Sequence, residues 1–215
     1  MVFYCYIIIK LTYYCLTELV FGNRTLIERI ITFMEEIEMA EKIEIGFTEH
    51  LDKTLSVMGK MGLLLVSADP KGKPNAMTIG WGTVGIIWGK PIFTVLVRPS
   101  RYTYGLIENS EDFTVNVPTA DMRDAVNFCG SKSGRDYDKF KENGLIALPS
   151  KNVKTPAIEQ CSIHYECKIV HKNDVMKEKL DGKIVSSAYK SGDFHTIYYG
   201  EILGVYASPE LVKEL

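Results

Sequence analysis

The feature that most constrains this chain is the alternation over residues 158–170. Cys161, Ile163, Tyr165, Cys167 and Ile169 share one face, and Ser162, His164, Glu166 and Lys168 share the other. A period of two is the mark of a half-buried strand. Other segments of strand length surround it. Residues 63–68 form a continuous apolar run, closed by Asp69-Pro70-Lys71-Gly72-Lys73-Pro74, where proline fixes φ and glycine permits a positive φ. Residues 75–87 read as the next strand, interrupted by Gly80, Gly82 and Gly85, and Gly89-Lys90-Pro91 turns the chain into a strand over 92–97. Residues 113–117, 145–148, 183–188 and 195–207 complete the strand set, with short helices expected over 50–58, 104–109, 120–128 and 136–141. Many strands joined by turns, with short helices inserted, predict an α+β, mainly β, barrel-like domain.

The N-terminal part follows other rules. Residues 2–21 are apolar and aromatic, but Lys10 and Glu18 leave no run of about 20 uncharged residues, so no integral membrane insertion is expected. The positive charge ahead of the apolar run and the small-residue cleavage site of a secretory signal are not apparent. Residues 25–39 read as a helix, with Leu26, Ile30, Phe33 and Ile37 at helical spacing and Glu28, Arg29, Glu35 and Glu36 between them. Met39-Ala40-Glu41 resembles an ordinary chain start, and the preferred reading takes residues 1–38 as an extension. The division is then an N-terminal extension over 1–44 and a folded domain over 45–215. A packing or membrane-peripheral helix is the other reading of the extension.

Charge and cysteine usage exclude several functions. The 25 basic and 27 acidic residues leave a net charge of −2, which exerts no long-range pull on nucleic acid or anionic lipid. No basic cluster is interleaved with aromatics, so nucleic acid is not an expected partner. Five cysteines, an odd number without metal-ligand spacing, point to a reducing and hence cytoplasmic compartment. Cys161, His164 and Cys167 would suit a metal only on a helix. On a strand His164 faces away from both cysteines, which lie roughly 20 Å apart. No P-loop, nucleophile elbow or dinucleotide glycine fingerprint occurs.

Four constellations could carry chemistry. Along residues 75–82, Asn75, Met77, Ile79 and Trp81 point one way, while Ala76, Thr78, Gly80 and Gly82 point the other. The bulky side suits a core. The bare side lets a flat ring lie against backbone amides and carbonyls, or relieves strand curvature in a barrel. Arg98-Pro99-Ser100-Arg101-Tyr102-Thr103 stands between a strand and a helix start, where unpaired amides, two hydroxyls and two guanidinium groups make a cradle for a terminal monophosphate. A helix cap with solvated arginines is the alternative. Cys129-Gly130-Ser131-Lys132-Ser133-Gly134-Arg135, with Lys139 beyond it, reads as a basic lid or as an exposed loop. His195, in Asp193-Phe194-His195-Thr196, stands where a turn enters a strand, a place for either a functional or a structural histidine.

Taken in order, these pieces resemble the flavin reductase family with the FMN-binding split barrel, in its flavoredoxin-like branch. The resemblance runs from about residue 50 to residue 207. It rests on Lys73-Pro74-Asn75-Ala76-Met77-Thr78, Trp81-Gly82, Arg98 to Thr103, Phe113-Thr114-Val115-Asn116, Ser133-Gly134-Arg135-Asp136, Asp138-Lys139-Phe140, His195-Thr196 and Gly200-Glu201. It implies a split β-barrel with short peripheral helices, and a homodimer with non-covalent FMN at or near the subunit interface. It places Asn75, Ala76, Met77, Thr78, Gly80 and Trp81 along the isoalloxazine. Arg98, Ser100, Arg101, Tyr102 and Thr103 fall at the phosphate, with Lys139 nearby and His195 near the exposed face of the ring. The expected activity is electron transfer from NAD(P)H or a redox partner protein through FMN. The alternatives are a flavoredoxin-like carrier without NAD(P)H activity, or a non-redox barrel for another small ligand.

Overall fold

The structure, a computed structural model, describes residues 41–212. The chain divides into two units, Met1–Lys42 and Ile43–Leu215. The helix expected over 25–39 and the extension over 1–38 lie outside the described residues.

The second unit is built on one antiparallel sheet. Its strands are β1 Ile43–Glu44, β2 Leu63–Ala68, β3 Pro74–Ile79, β4 Gly82–Ile87, β5 Lys90–Val97, β6 Asp112–Val117, β9 Ile163–Asp174 and β10 Thr196–Ala207. Between β6 and β9, β7 Ala147–Leu148 and β8 Ala157–Ile158 form a separate small pair. The path across the sheet is β3-β2-β6-β9-β10-β5-β4, with β1 added to β10. The helices are α1 Leu51–Lys60, α2 Tyr102–Ile107, α3 Arg123–Ser131, α4 Lys139–Glu142, α5 Gly182–Ala188 and α6 Pro209–Val212.

The continuous apolar run of β2 is explained by two cores. Leu63 and Leu65 join Met77, Phe93, Val95, Phe113, Val115 and Tyr165 inside the curled sheet. Leu64 and Val66 turn outward and are covered with Ala76 by Val126 and Cys129 of α3 and Phe140 of α4. A strand buried on both faces needs no polar alternation. Strand β9 does alternate, but its polar face is covered too as far as Glu166, with Lys168 exposed. His164 and Glu166 are 3% and 0% exposed. The Glu166 carboxylate accepts from the amides of Lys151 and Asn152 at 2.9 and 2.6 Å and from Asn152 Nδ2 at 3.0 Å, so it organises the loop that buries it. Burial pushes its pKa up, yet these bonds together with His164 hold it below the usual carboxylate value. Cys161 does not share the inner face with Ile163, because β9 begins only at Ile163 and Cys161 packs in the outer core.

Two further expectations fail. The segment over 183–188 is not a strand but lies in helix α5. Asp181 caps it by accepting from the Lys183 amide at 2.8 Å, and the hydroxyls of Ser186 and Ser187 donate back to the Lys183 carbonyl. The segment over 75–87 is two strands rather than one. β3 and β4 follow each other through Gly80-Trp81, yet they sit at opposite ends of the sheet path. The barrel is split at that seam.

The curvature has one clear steric signature. A Cβ on Gly200 would lie 2.4 Å from Phe113 Cζ and 2.7 Å from Cys167 Cβ, at a register shift between β10 and β9. Glu201, next to it, pairs on the surface with Lys90 at 2.7 Å. The β4–β5 hairpin turns at Trp88 and Gly89, both with positive φ, 53° and 70°.

Candidate functional site

A cavity of about 200 Å³ opens at the seam where β3 passes to β4. Met77, Thr78, Ile79, Gly80 and Trp81 supply one wall, and Leu96, Arg98, Arg101, Gly130 and His195 the other. The corner does not carry the faces expected of it. Met77 and Ile79 enter the inner core, but Trp81 lies beyond the strand end and is 48% exposed. Ala76 and Thr78 are bare because α3 packs on them. Thr78 Oγ1 donates to the Val126 carbonyl at 2.5 Å, and a Cβ on Gly130 would lie 3.2 Å from Thr78 Cβ. Only the edge from Met77 to Gly80 remains for a ligand.

Trp81 leans on His195, with ring centroids 5.2 Å apart. The imidazole is 8% exposed, and its Nδ1 lies 2.7 Å from the Tyr189 hydroxyl. Tyr189 is stacked on Phe194 at 4.6 Å, and the Arg98 guanidinium stands 5.1 Å from its ring centroid. Burial is the largest influence on His195, followed by Arg98. With a smaller push from Arg101, and against the pull of Asp193, they lower its pKa to about 4. His195 is therefore a neutral imidazole at neutral pH.

Arg98 is placed differently from a phosphate ligand. Its guanidinium donates to the carbonyls of Asp193 and Ala188, each at 2.9 Å, and to that of Gly192 at 3.4 Å. It ties the segment before β10 to the end of β5. Ser100 is also engaged. Its hydroxyl donates to Asp193 Oδ2 at 2.5 Å and its amide to Oδ1 at 3.2 Å, so a carboxylate of the chain already occupies this donor pair. Asp193 holds this position with φ 56°, in the left-handed region.

A second recess, of about 120 Å³, adjoins the first, and Met77, Arg101 and Gly130 line both. It is bordered by Ser100, Tyr102 and Thr103, by the loop from Cys129 to Arg135, and by Lys139. Four cations line it, Arg101, Lys132, Arg135 and Lys139, and no carboxylate does. In a chain of net charge −2 that is a local concentration of positive charge. Arg135 closes the loop onto the turn by donating to the Ser100 carbonyl at 3.2 Å. Gly134 makes this possible, since a Cβ there would lie 2.2 Å from Asn75 Oδ1 and 2.5 Å from Tyr102 Cδ1. Asn75 Nδ2 donates to Thr103 Oγ1 at 3.0 Å, and both residues are buried.

Lys139 is 5% exposed, and its ammonium donates to the carbonyls of Ala76 at 2.9 Å and Cys129 at 2.7 Å. No carboxylate among the described residues pairs with it. Burial first, and Arg101 to a lesser degree, lower its pKa, while Cys129 opposes them. Two neutral acceptors leave the third N–H and the full charge available.

Twelve of the thirteen residues singled out from the sequence line these cavities or a third one beside them, which holds Asn75, Tyr102 and Lys139. The exception is Ala76, which contributes its carbonyl to Lys139. Ile79 and Asp193 were read only as members of their segments, without a site role, and Leu96 and Tyr189 were in none of the constellations. Asp193 stood two residues from His195 and had a local cue, whereas Tyr189 joins the site only through the fold.

The chain from residue 59 to 215 matches the model of the flavin reductase like domain. A protein of Archaeoglobus fulgidus is 35% identical over 133 residues, which are 62% of this chain and 65% of that one; the matched part is thus just under two thirds of the relative's length. Flavoredoxin from Methanosarcina acetivorans is 26% identical, with a TM-score of 0.54 over 78% of this chain and 75% of that one. An FMN-binding domain of a flavin reductases-like enzyme from Shewanella baltica shares the fold at 21% identity, with a TM-score of 0.55 over 78% of each chain. The architecture is therefore the expected α+β, mainly β, split barrel, with its sheet left open.

Proposed function

Because the chain belongs to the flavin reductase like family, we propose that it holds FMN non-covalently across the seam and passes electrons through it. One observation carries this reading. A buried ammonium without a carboxylate partner, Lys139, stands in a cation-lined recess continuous with a cavity walled by Trp81 and His195. A buried unpaired cation is costly unless an anion completes it. The phosphate of FMN supplies that anion, and the seam takes the flat ring.

In this arrangement Arg101, Lys139, Arg135 and the Thr103 hydroxyl hold the phosphate, while the edge from Met77 to Gly80 and the Trp81–His195 wall hold the ring. Ser100 and Arg98 support the site through Asp193 and the segment 188–193. Bound FMN would accept a hydride or single electrons and hand them on; the protein positions and shields it. The proposed donor is NAD(P)H. The likeness to a flavoredoxin favours a second reading, an electron carrier that does not take hydride from a nicotinamide. Rapid mixing of the oxidised protein with NADH and then NADPH separates the two, because only the first reading expects bleaching of the flavin spectrum.

The purified protein is expected to be yellow, or to quench the fluorescence of added FMN. A colourless protein that leaves FMN fluorescence unchanged overturns the flavin reading. No helix among the described residues is long and apolar enough to cross a membrane. The cytoplasmic setting is proposed on cysteine usage alone, an odd number without metal-ligand spacing.

A homodimer is part of the proposal. Trp88 is 62% exposed and Ile86 60%. Trp88 lies against His171 and Tyr199 at centroid distances of 5.7 and 5.9 Å. It accepts left-handed backbone that costs a non-glycine residue about 1–2 kcal/mol. A bulky indole at such a turn is better explained by what it contacts than by the turn. Light scattering at micromolar concentration with FMN present is expected to give twice the chain mass; a monomer mass refutes the dimer.

A further inference from the structure

The bond between Tyr189 and His195 can run in two directions, and the direction decides what the cavity is offered. Tyr189 is 5% exposed, and its hydroxyl has no other partner among the described residues. If His195 donated from Nδ1 to the phenol oxygen, the phenol's own proton would be buried without an acceptor. If the phenol donates, both groups are satisfied and the imidazole proton resides on Nε2. Burial first, then Arg98 and to a lesser degree Arg101, stand against an imidazolium and Asp193 favours it, with the net effect towards the neutral ring, so the choice lies between two neutral tautomers. The Trp81 ring, 5.2 Å away, and the wall formed by Tyr189 restrict the imidazole's rotation. With Nδ1 engaged, only Nε2 is left to meet a ligand in the cavity that His195 lines.

We propose that Tyr189 is a positioning residue which, by donating to Nδ1, holds His195 as the Nε2–H tautomer and presents the seam cavity with a fixed, uncharged hydrogen-bond donor. The identity of the acceptor rests on the flavin reading: it is a carbonyl oxygen or ring nitrogen on the polar edge of the isoalloxazine. This donor belongs to the ring cavity, so its effect is shared by ligands with and without a phosphate.

The test is 15N NMR of the imidazoles in the full chain, with His195 among the four histidines assigned by the signal lost in His195→Gln. At neutral pH the expected wild-type pattern is a protonated Nε2 and an unprotonated Nδ1. Tyr189→Phe keeps the ring against Phe194 and Arg98 but removes the donor; the expected result is a mixture of tautomers. FMN and riboflavin should both bind about three- to tenfold more weakly, as expected for one neutral hydrogen bond. A protonated Nδ1 in the wild type, or an unchanged pattern in Tyr189→Phe, overturns the proposal. Should Tyr189→Phe fail to fold, the wild-type tautomer decides alone. Failure of the wild type to bind either flavin removes the flavin reading while leaving the tautomer result intact, so the two ideas fail separately.

Discussion

Replacing Arg101 by alanine is expected to weaken FMN binding by about 10- to 150-fold while riboflavin binding hardly changes. Arg101 lines both the ring cavity and the cation-lined recess, and no side-chain hydrogen bond within the described residues engages it. A guanidinium bonded to a phosphate dianion contributes about 1.5–3 kcal/mol, and about 1.4 kcal/mol is a factor of ten. Riboflavin has the same ring without the phosphate, so the ratio of the two affinities isolates the contact. Added salt should weaken FMN binding to the wild type more than to the variant. Equal losses for both flavins would mean that Arg101 supports the ring or the fold. No loss for either would move the phosphate to Lys139 and the loop from Ser131 to Arg135. Ser100→Ala is a weaker probe, because its hydroxyl is bound to Asp193 and the change would act through the segment carrying His195.

Acidification is expected to cost stability through His195. Its pKa is about 4 in the folded chain against an ordinary 6.5. As pH falls below 6.5 the unfolded chain takes up this proton and the folded one does not, so stability present above pH 6.5 is lost progressively until about pH 4. At about 1.4 kcal/mol per unit the full loss is on the order of 3 kcal/mol, with about 2 kcal/mol gone by pH 5. Glu108, Asp138 and Glu166 are also held below their ordinary values, but carboxylates lose their contribution lower in the pH scale, so they add little between pH 7 and 5. Urea unfolding at pH 7 and pH 5 checks this. The loss between the two should be about 2 kcal/mol larger in the wild type than in His195→Gln. Equal losses would show that His195 does not titrate abnormally.

How far the sequence could be read depended on whether a residue's partner was local. The alternation from Ile163 to Ile169 marked β9 without help, and the run from Leu63 to Val66 marked β2, although only the fold shows that it serves two cores. Ile184 and Val185 suggested a strand, while the cap at Asp181 and the back-bonding serines made a helix. The site composition was legible because the residues come in short blocks: 75–81, 98–103 and 129–139. Their division of labour was not. Arg98 looked like an anion ligand, whereas the carbonyls of Ala188, Gly192 and Asp193 engage both of its terminal nitrogens. Ser100 looked free until Asp193, 93 residues away, reached it. Ala76 and Thr78 looked open until α3 covered them.

The two-residue corner at Gly80-Trp81 has a consequence for chain length. It joins strands at opposite ends of the sheet path: β3 is held in register by β2, and β4 by β5. Neither strand can slide to absorb an added or missing residue, because a one-residue slip would exchange its inner and outer faces. Turns between neighbouring strands ordinarily accommodate insertions; this one has no slack. Its indole and glycine also form the cavity wall, so a change in length would move the wall as it opened the seam. The long return from β9 to β10, residues 175–195, is where the same fold can vary in length, since Arg98 and Ser100 anchor only its part from Ala188 to Asp193. The molecule thus keeps a rigid dimension at a two-residue corner and an adjustable one in a long return, with the ligand cavity between them.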